Sequence, residues 1–279
     1  MRLKNETAII TGSTTGIGYK LAEIFLREGC KVVICSRTTE KVERALSELK
    51  KQFREAVIGY SCDVTKPEQL NQLVEKTTEA FGSVRILVAN AGVNTIYGPF
   101  DCLSTKKVND YAKTIIGVNL IGTINSISAV LSQMKKQQYG RIVTLSGGGV
   151  DRPIDNMTLY SASKGGVVTF SKCLAYELED QGLDIKINIF HPGMIKTNLI
   201  SSVTCVPNWK SEEEIMEDMN FVIEHIGGDI EKRCRPVVPY VMPSCKANGK
   251  VFRGYSLFKL IIRAIRMQRQ LKKRNRKKN

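Results

Sequence analysis

Short runs rich in Val, Ile and Thr alternate with longer amphipathic stretches from the first residues onward, and this alternation restricts the chain more than any other feature. Strands joined by helical crossovers must run parallel and be covered on both faces, so the pattern predicts an α/β fold: a doubly wound parallel sheet in three layers, α/β/α. Thr7 to Thr11 reads as the first strand. The helix after Gly16 sets Ile17, Leu21, Ile24, Phe25 and Leu26 on one face and stops at Gly29. Strands are expected at 31–35, 56–61, 84–89, 141–146 and 184–190. Helices are expected at 38–53, 67–82, 104–117, 119–138 and 158–181, with Pro67 in a first turn where its missing N–H costs nothing.

The rhythm breaks after residue 190. Residues 194–249 hold several prolines and one clear helix, opened by a capping box of Ser211 and Glu214. Long irregular segments after the carboxyl end of a strand usually cover a ligand, so 194–249 reads as a substrate lid. A short last strand is expected at 250–252. The chain thus divides into one domain over 1–255 and a basic C-terminal helix or tail over 256–279.

The glycines of Thr11-Gly12-Ser13-Thr14-Thr15-Gly16-Ile17-Gly18 fall between the first strand and the first helix, where a tight turn becomes a phosphate site. Gly12 permits the turn, Gly16 admits a pyrophosphate and Gly18 lets helix and sheet approach, while the helix N-terminus supplies N–H donors and partial positive charge. Rossmann-type dinucleotide binding follows, with Gly12, Ser13, Thr14, Gly16, Ile17 and Gly18 as the cradle. The second strand runs into Ser36 and Arg37 rather than an acidic residue. A carboxylate there would repel a 2′-phosphate, whereas a guanidinium clamps it, so NADP(H) is expected over NAD(H).

Tyr160 and Lys164 are four residues apart on the predicted helix 158–181 and so share a face. A phenol is a poor acid at neutral pH, but a nearby ammonium stabilises the phenolate and draws its pKa down, which suits proton exchange with a carbonyl or alcohol oxygen.

Taken together, these residues resemble the short-chain dehydrogenase/reductase family over roughly 5–200. The resemblance extends to Asp63 and Val64, similar to the family's adenine-binding acidic dipeptide, and to Asn90-Ala91-Gly92, similar to its N-A-G motif. It extends further to Asn119, in the segment carrying the fourth catalytic residue, and to Pro192-Gly193-Met194-Ile195-Lys196-Thr197. It implies hydride transfer between a nicotinamide cofactor and a carbonyl or alcohol, with Tyr160 as acid/base and Lys164 and Asn119 supporting it. Pro192, Gly193, Ile195 and Thr197 would lie beside the nicotinamide. It also implies a homodimer or homotetramer paired through the helices near 104–138 and 158–181. A regulatory or scaffold protein that kept the nucleotide loop and lost efficient chemistry is the alternative.

One position departs from the family pattern. The carbonyl-orienting serine lies 13 residues before the tyrosine in the family, and Gly147 stands there, with Ser146 one residue earlier. Either Ser146 takes the role, or a backbone N–H of the run Gly147–Gly149 does, or the chemistry is weakened.

The net charge of +15 is concentrated in the last thirty residues, which hold 12 Lys or Arg and no acid, leaving 30 basic and 27 acidic residues before Lys250. Nucleic-acid binding is not expected, because the body is nearly neutral and the tail lacks interleaved aromatics. Leu257, Phe258, Ile261, Ile262 and Ile265 form a stripe at helical spacing with basic residues opposite. The stripe either lies on an anionic membrane or packs against protein, and packing is the commoner fate. No run of about 18 apolar residues is present, so no membrane span is expected. The eight cysteines are scattered and no signal peptide precedes the first strand, which points to free thiols and a cytoplasmic location with at most peripheral membrane contact. His191 and His225 stand apart, and no metal is implied.

Overall fold

The computed structural model describes residues 1–197, 204–207 and 209–278, the last seven of these by backbone alone. Seven parallel strands form the central sheet: β1 (Thr7–Thr11), β2 (Lys31–Ser36), β3 (Val57–Ser61), β4 (Ile86–Ala89), β6 (Tyr139–Leu145), β7 (Asp184–His191) and β9 (Val251–Arg253). Their spatial order is β3-β2-β1-β4-β6-β7-β9, so the winding reverses beside β1 and opens a crevice at the carboxyl ends of β1 and β4.

Helices cover both faces. The side chains of α1 (Gly16–Arg27), α2 (Thr39–Phe53), α8 (Ile230–Cys234) and α9 (Val238–Val241) join one core, with Leu21, Phe25, Leu49, Cys234 and Val238 packed on Ile10, Ile34, Val143 and Phe190. On the other face Leu70 and Leu73 of α3 (Pro67–Phe81), Ile127 and Val130 of α5 (Gly122–Gln137), and Ala175 and Leu178 of α6 (Thr158–Asp180) pack on Ile9, Val33, Leu87 and Ile187. Every residue of β1 and β6 is buried, as a two-sided parallel sheet requires.

Three features differ from the sequence expectations. The helices expected at 104–117 and 119–138 are one rod, in which α4 (Thr105–Ile116) passes into α5 through a π-helical turn at Gly117–Ile121. This rod is long and apolar enough to cross a membrane by length and composition, contrary to the expectation that no segment is. Its Ile127, Val130 and Met134 are buried in the core. Finally, a second sheet of two short strands pairs β5 (Ile96–Tyr97) with β8 (Thr204–Cys205) and fastens the segment after β4 to the region expected as a lid.

That region also contains α7 (Glu212–Ile226), opened by the predicted capping box: Glu214 donates its N–H to the Ser211 hydroxyl at 3.2 Å and returns a carboxylate to the Ser211 N–H at 3.0 Å. The last helix, α10 (Leu257–Lys278), packs against α7. Its half-buried row is Leu260, Ala264, Met267 and Leu271, whereas the predicted stripe is exposed, from 36% at Ile262 to 74% at Phe258.

Candidate active site

The glycine turn is held by the segment after β4. Asn90 donates from its side-chain amide to the carbonyls of Thr11 at 2.9 Å and Gly12 at 3.0 Å, while the Thr11 hydroxyl accepts the N–H groups of Asn90 at 3.1 Å and Ala91 at 3.0 Å. Gly12 has φ +63°, and a Cβ on it would stand 2.9 Å from the Ala91 Cα; one on Gly18 would stand 2.5 Å from the Gly12 carbonyl oxygen. Both glycines therefore answer to close backbone approach. Thr15 gives α1 no side-chain cap, so the first N–H groups of that helix face the turn without a side-chain acceptor. This cradle fits a dinucleotide pyrophosphate. Ser13 belongs to the scaffold, since its buried hydroxyl donates to the Ile10 carbonyl and accepts the Cys35 N–H at 3.0 Å. The Thr197 methyl lies 3.4 Å from where a Gly16 Cβ would be, which brings the segment Pro192–Thr197 over the turn. Ile195 is buried, and Gly193, with φ +74°, donates its N–H to the His191 ring at 3.1 Å.

At the outer end of the crevice Arg37 is exposed beside half-buried Ser36, and its guanidinium has no ion pair or hydrogen bond among the described residues. Asp63 accepts the Thr65 N–H and hydroxyl on a single carboxylate oxygen at 2.9 and 2.8 Å, which shapes the turn after β3 and leaves the other oxygen open. Val64 packs against the helix rod, where a Cβ on Gly122 would come within 2.5 Å of it.

Asn119 sits in the π turn and is fully buried. Its side chain accepts the Val93 N–H at 2.7 Å and donates to the Val93 carbonyl and the Ser163 hydroxyl, both at 2.9 Å. Ser163 passes its own proton to the Tyr160 carbonyl at 2.7 Å. One amide thus ties the loop after β4 to the opening of α6. π turns recur where a helix must present a functional group, and the one extra residue aims Asn119 inward. Gly92 fits into the same junction, where a Cβ would stand 3.2 Å from the Asn119 oxygen and 3.5 Å from the Lys164 nitrogen.

Tyr160 and Lys164 lie on the inner face of α6, 7% and 5% exposed. Lys164 donates to the Leu145 carbonyl at 3.1 Å, and its nitrogen stands 5.9 Å from the centre of the Tyr160 ring. Burial lowers the Lys164 amine to about 8. Burial also pushes the Tyr160 phenol up to about 12, in the opposite direction from the sequence expectation, because desolvation dominates and the lysine is directed to the Leu145 carbonyl. A phenol of this kind is a proton donor.

Gly147 is buried against that phenol. A Cβ there would stand 2.6 Å from the Tyr160 hydroxyl and 3.0 Å from the Lys164 Cγ. Ser146 continues the strand, its N–H donating to the Phe190 carbonyl at 2.9 Å, and alternation puts its side chain on the same side as Thr144, which meets Ser171 of α6 at 2.9 Å. Gly149, with φ +86°, leaves room for Ser161, whose hydroxyl a Cβ would overlap.

Several residues of the surroundings were not singled out from sequence as site residues. Ile96, Ile115 and Val206 form an apolar wall with Tyr160, joined by half-buried Leu103, Tyr111, Met157 and Leu159. Arg253, at the end of β9, binds Asp151 of the loop after Gly149 at 2.8 Å and holds that loop to the sheet. Proline- and glycine-rich flanks conceal such partners, which lie 102 residues apart. No group of three or more His, Cys, Asp or Glu suited to a metal gathers among the described residues.

A family model described as short chain dehydrogenase matches residues 6–205. The chain belongs to the short-chain dehydrogenase/reductase family. It is 38% identical over 261 residues to chlorophyll(ide) b reductase NOL of Arabidopsis thaliana, covering 89% of this chain and 73% of that one. It is 35% identical over 196 residues to dehydrogenase/reductase SDR family member 4 of Sus scrofa, covering 70% and 68%. Among solved structures it resembles levodione reductase, with TM-score 0.76, 24% identity and coverage of 91% and 98%. It also resembles a 3-ketoacyl-(acyl-carrier-protein) reductase from Brucella melitensis complexed with NADH, with TM-score 0.75, 23% identity and coverage of 90% and 96%. These two likenesses concern the fold. As a member of this family the chain is an NAD(P)-binding oxidoreductase of carbonyl and alcohol groups.

Proposed function

We propose that the chain reduces the carbonyl of an apolar small molecule with NADPH. The reading rests on the convergence of Tyr160, Lys164 and Asn119 at the mouth of the glycine cradle, beneath the apolar wall of Ile96, Ile115 and Val206. Bound NADPH supplies the hydride. Gly12, Gly16 and Gly18 admit the pyrophosphate, with Thr14 and Ile17 beside it; Asp63 and Val64 border the adenine, and Asn90, Ala91 and Gly92 line the inner side. Ser36 and Arg37 receive the 2′-phosphate, for which the unpaired guanidinium is the specific support. Pro192, Gly193, Ile195 and Thr197 would border the nicotinamide end.

The Tyr160 hydroxyl would deliver its proton to the substrate oxygen as negative charge gathers there during reduction. Lys164, cationic below its lowered pKa, favours the phenolate left behind and replenishes the proton. Asn119 holds the two loops that fix this geometry, through its side-chain bonds to Val93 and Ser163. Ser146 or a backbone N–H of Gly147–Gly149 orients the carbonyl.

The bare Gly147 favours a second reading, a nucleotide-binding regulatory protein with weakened catalysis. A carbonyl panel followed by NADPH absorbance, with Tyr160→Phe as the blank, separates the two. Turnover lost in the variant supports the enzyme; nucleotide binding without turnover on any substrate supports the regulator. Pairing of two copies through α4–α5 and α6 is proposed from exposed Ile121 and Tyr176, and sedimentation velocity tests it.

A further inference from the structure

We propose that α10 is an amphipathic anchor that lays the protein on an anionic lipid bilayer, an inference independent of the reaction proposed above. The helix has three longitudinal faces. The first, Leu260, Ala264, Met267 and Leu271, is half-buried and turned to α7. Arg263 strengthens this attachment by donating to the Gly227 carbonyl at 3.0 Å, as does the contact of the His225 ring with the Gln270 side chain. The helix is therefore held to the body, and its remaining faces have a fixed orientation.

The second face carries Leu257, Phe258, Ile261, Ile262 and Ile265, exposed by 52, 74, 55, 36 and 46%. These make up half of the ten large apolar side chains that lie most open on the described surface, gathered within nine residues. A contiguous apolar patch of this kind on a protein marks a contact surface. The third face is cationic. Lys259 and Arg266 lie beside the apolar row, Arg263 turns to the Gly227 carbonyl, and the segment from Leu257 to Lys278 contains ten Lys or Arg and no acidic residue. Lys259, Arg266 and Arg269 make no ion pair among the described residues.

The charge decides the occupant. A second copy set face to face would bring the same uncompensated cations against these, whereas an apolar row flanked by Lys and Arg matches acyl chains beneath anionic headgroups. A nucleic acid would satisfy the cations and leave the apolar row in water. An anionic bilayer satisfies both faces at once.

The test is co-sedimentation of the full-length protein with vesicles of mixed phosphatidylglycerol and phosphatidylcholine, compared with phosphatidylcholine alone, at low and high salt. The double variant Phe258→Asp/Ile261→Asp is run beside it, with thermal melting and NADPH binding as checks that it is folded. Both substituted side chains are exposed, so the fold is expected to persist. Binding to anionic vesicles that falls about tenfold or more in the variant and in high salt is the expected result. The proposal is overturned by any of three outcomes: no binding to anionic vesicles, equal binding to neutral ones, or unchanged binding of the folded variant. It is equally overturned if the substitutions split an oligomer in sedimentation velocity, which would assign the face to a second copy. Should the variant fail to fold, Ile265→Gln in the full-length chain takes its place and is judged by the same criteria.

Discussion

The Tyr160 hydroxyl lies against the bare Cα of Gly147, with a Cβ position only 2.6 Å away. Gly147→Ala is expected to push the phenol off its line to the substrate and lower kcat by about tenfold or more, a barrier change of roughly 1.4 kcal/mol. Nucleotide affinity should be nearly unchanged. Steady-state kinetics beside NADPH titration checks this, and a Gly147→Ala enzyme with full turnover would show that the contact is immaterial.

Tyr160→Phe removes the only hydroxyl placed to protonate the substrate oxygen from α6 in the proposed reaction. The expected loss in kcat is about 10²-fold or more, with the KM for the nucleotide within a few-fold. Because burial holds the phenol at about 12, its own ionisation should not limit reduction anywhere near neutrality. Phenolate absorbance that appears below pH 10 in the wild type and is absent from Tyr160→Phe would contradict this.

Lys164 gives activity and stability opposite demands. Its amine titrates at about 8 in the folded chain against 10.5 when exposed. Between these values the unfolded chain holds the proton and the folded chain does not, so this group makes stability rise with pH across the window. Below about 8 both states are protonated, and the folded state carries the whole cost of the buried ammonium, about 3 kcal/mol for a shift of this size. Lys164→Met should therefore raise Tm by a few degrees at neutral pH, less whatever the lost bond to Leu145 contributed, while turnover collapses. The gain in Tm should shrink as pH approaches 10.5. A neutral-pH Tm below wild type would refute the account.

Arg37→Ala should raise the KM for NADPH by tenfold or more and leave that for NADH within about twofold, since a charge-assisted fork to the 2′-phosphate is worth a few kcal/mol. Equal changes for both coenzymes would remove Arg37 from the site.

The interior amide of Asn119 carries three hydrogen bonds, two to Val93 and one to Ser163. Asn119→Ala leaves those groups buried and unpaired, and the expected destabilisation is about 2–4 kcal/mol. Urea denaturation measures it; a loss under about 1 kcal/mol would mean that water replaces the amide.

Much of this is legible in the sequence alone. Thr7–Thr11 and Pro67–Phe81 stand within a residue of where periodicity and helix-start rules put them, because two-sided burial and capping leave local marks. The capping box of Ser211 and Glu214 is local in the same sense. What escaped is what distant segments decide. Ile96–Tyr97 and Thr204–Cys205 are each two residues long and carry no period of their own. The glycines at 147 and 149 look like an unspecific loop until Tyr160 and Ser161 are seen against them. In α10 the stripe of Leu257, Phe258 and Ile261 is the row expected to pack, yet α7 takes Leu260, Ala264 and Met267 instead and leaves that stripe exposed.

The π turn at Gly117–Ile121 has a consequence for how one helix serves two neighbourhoods. Each added residue turns a helix by about 100°, so the extra one resets the phase between its halves. Upstream, Ile115 meets Tyr160 and Val206 in the apolar wall; downstream, Ile127, Val130 and Met134 meet the sheet. Shortening the rod by a single residue at this joint would leave one half correctly rotated and swing the other out of contact, so catalysis and core packing share a common angular setting.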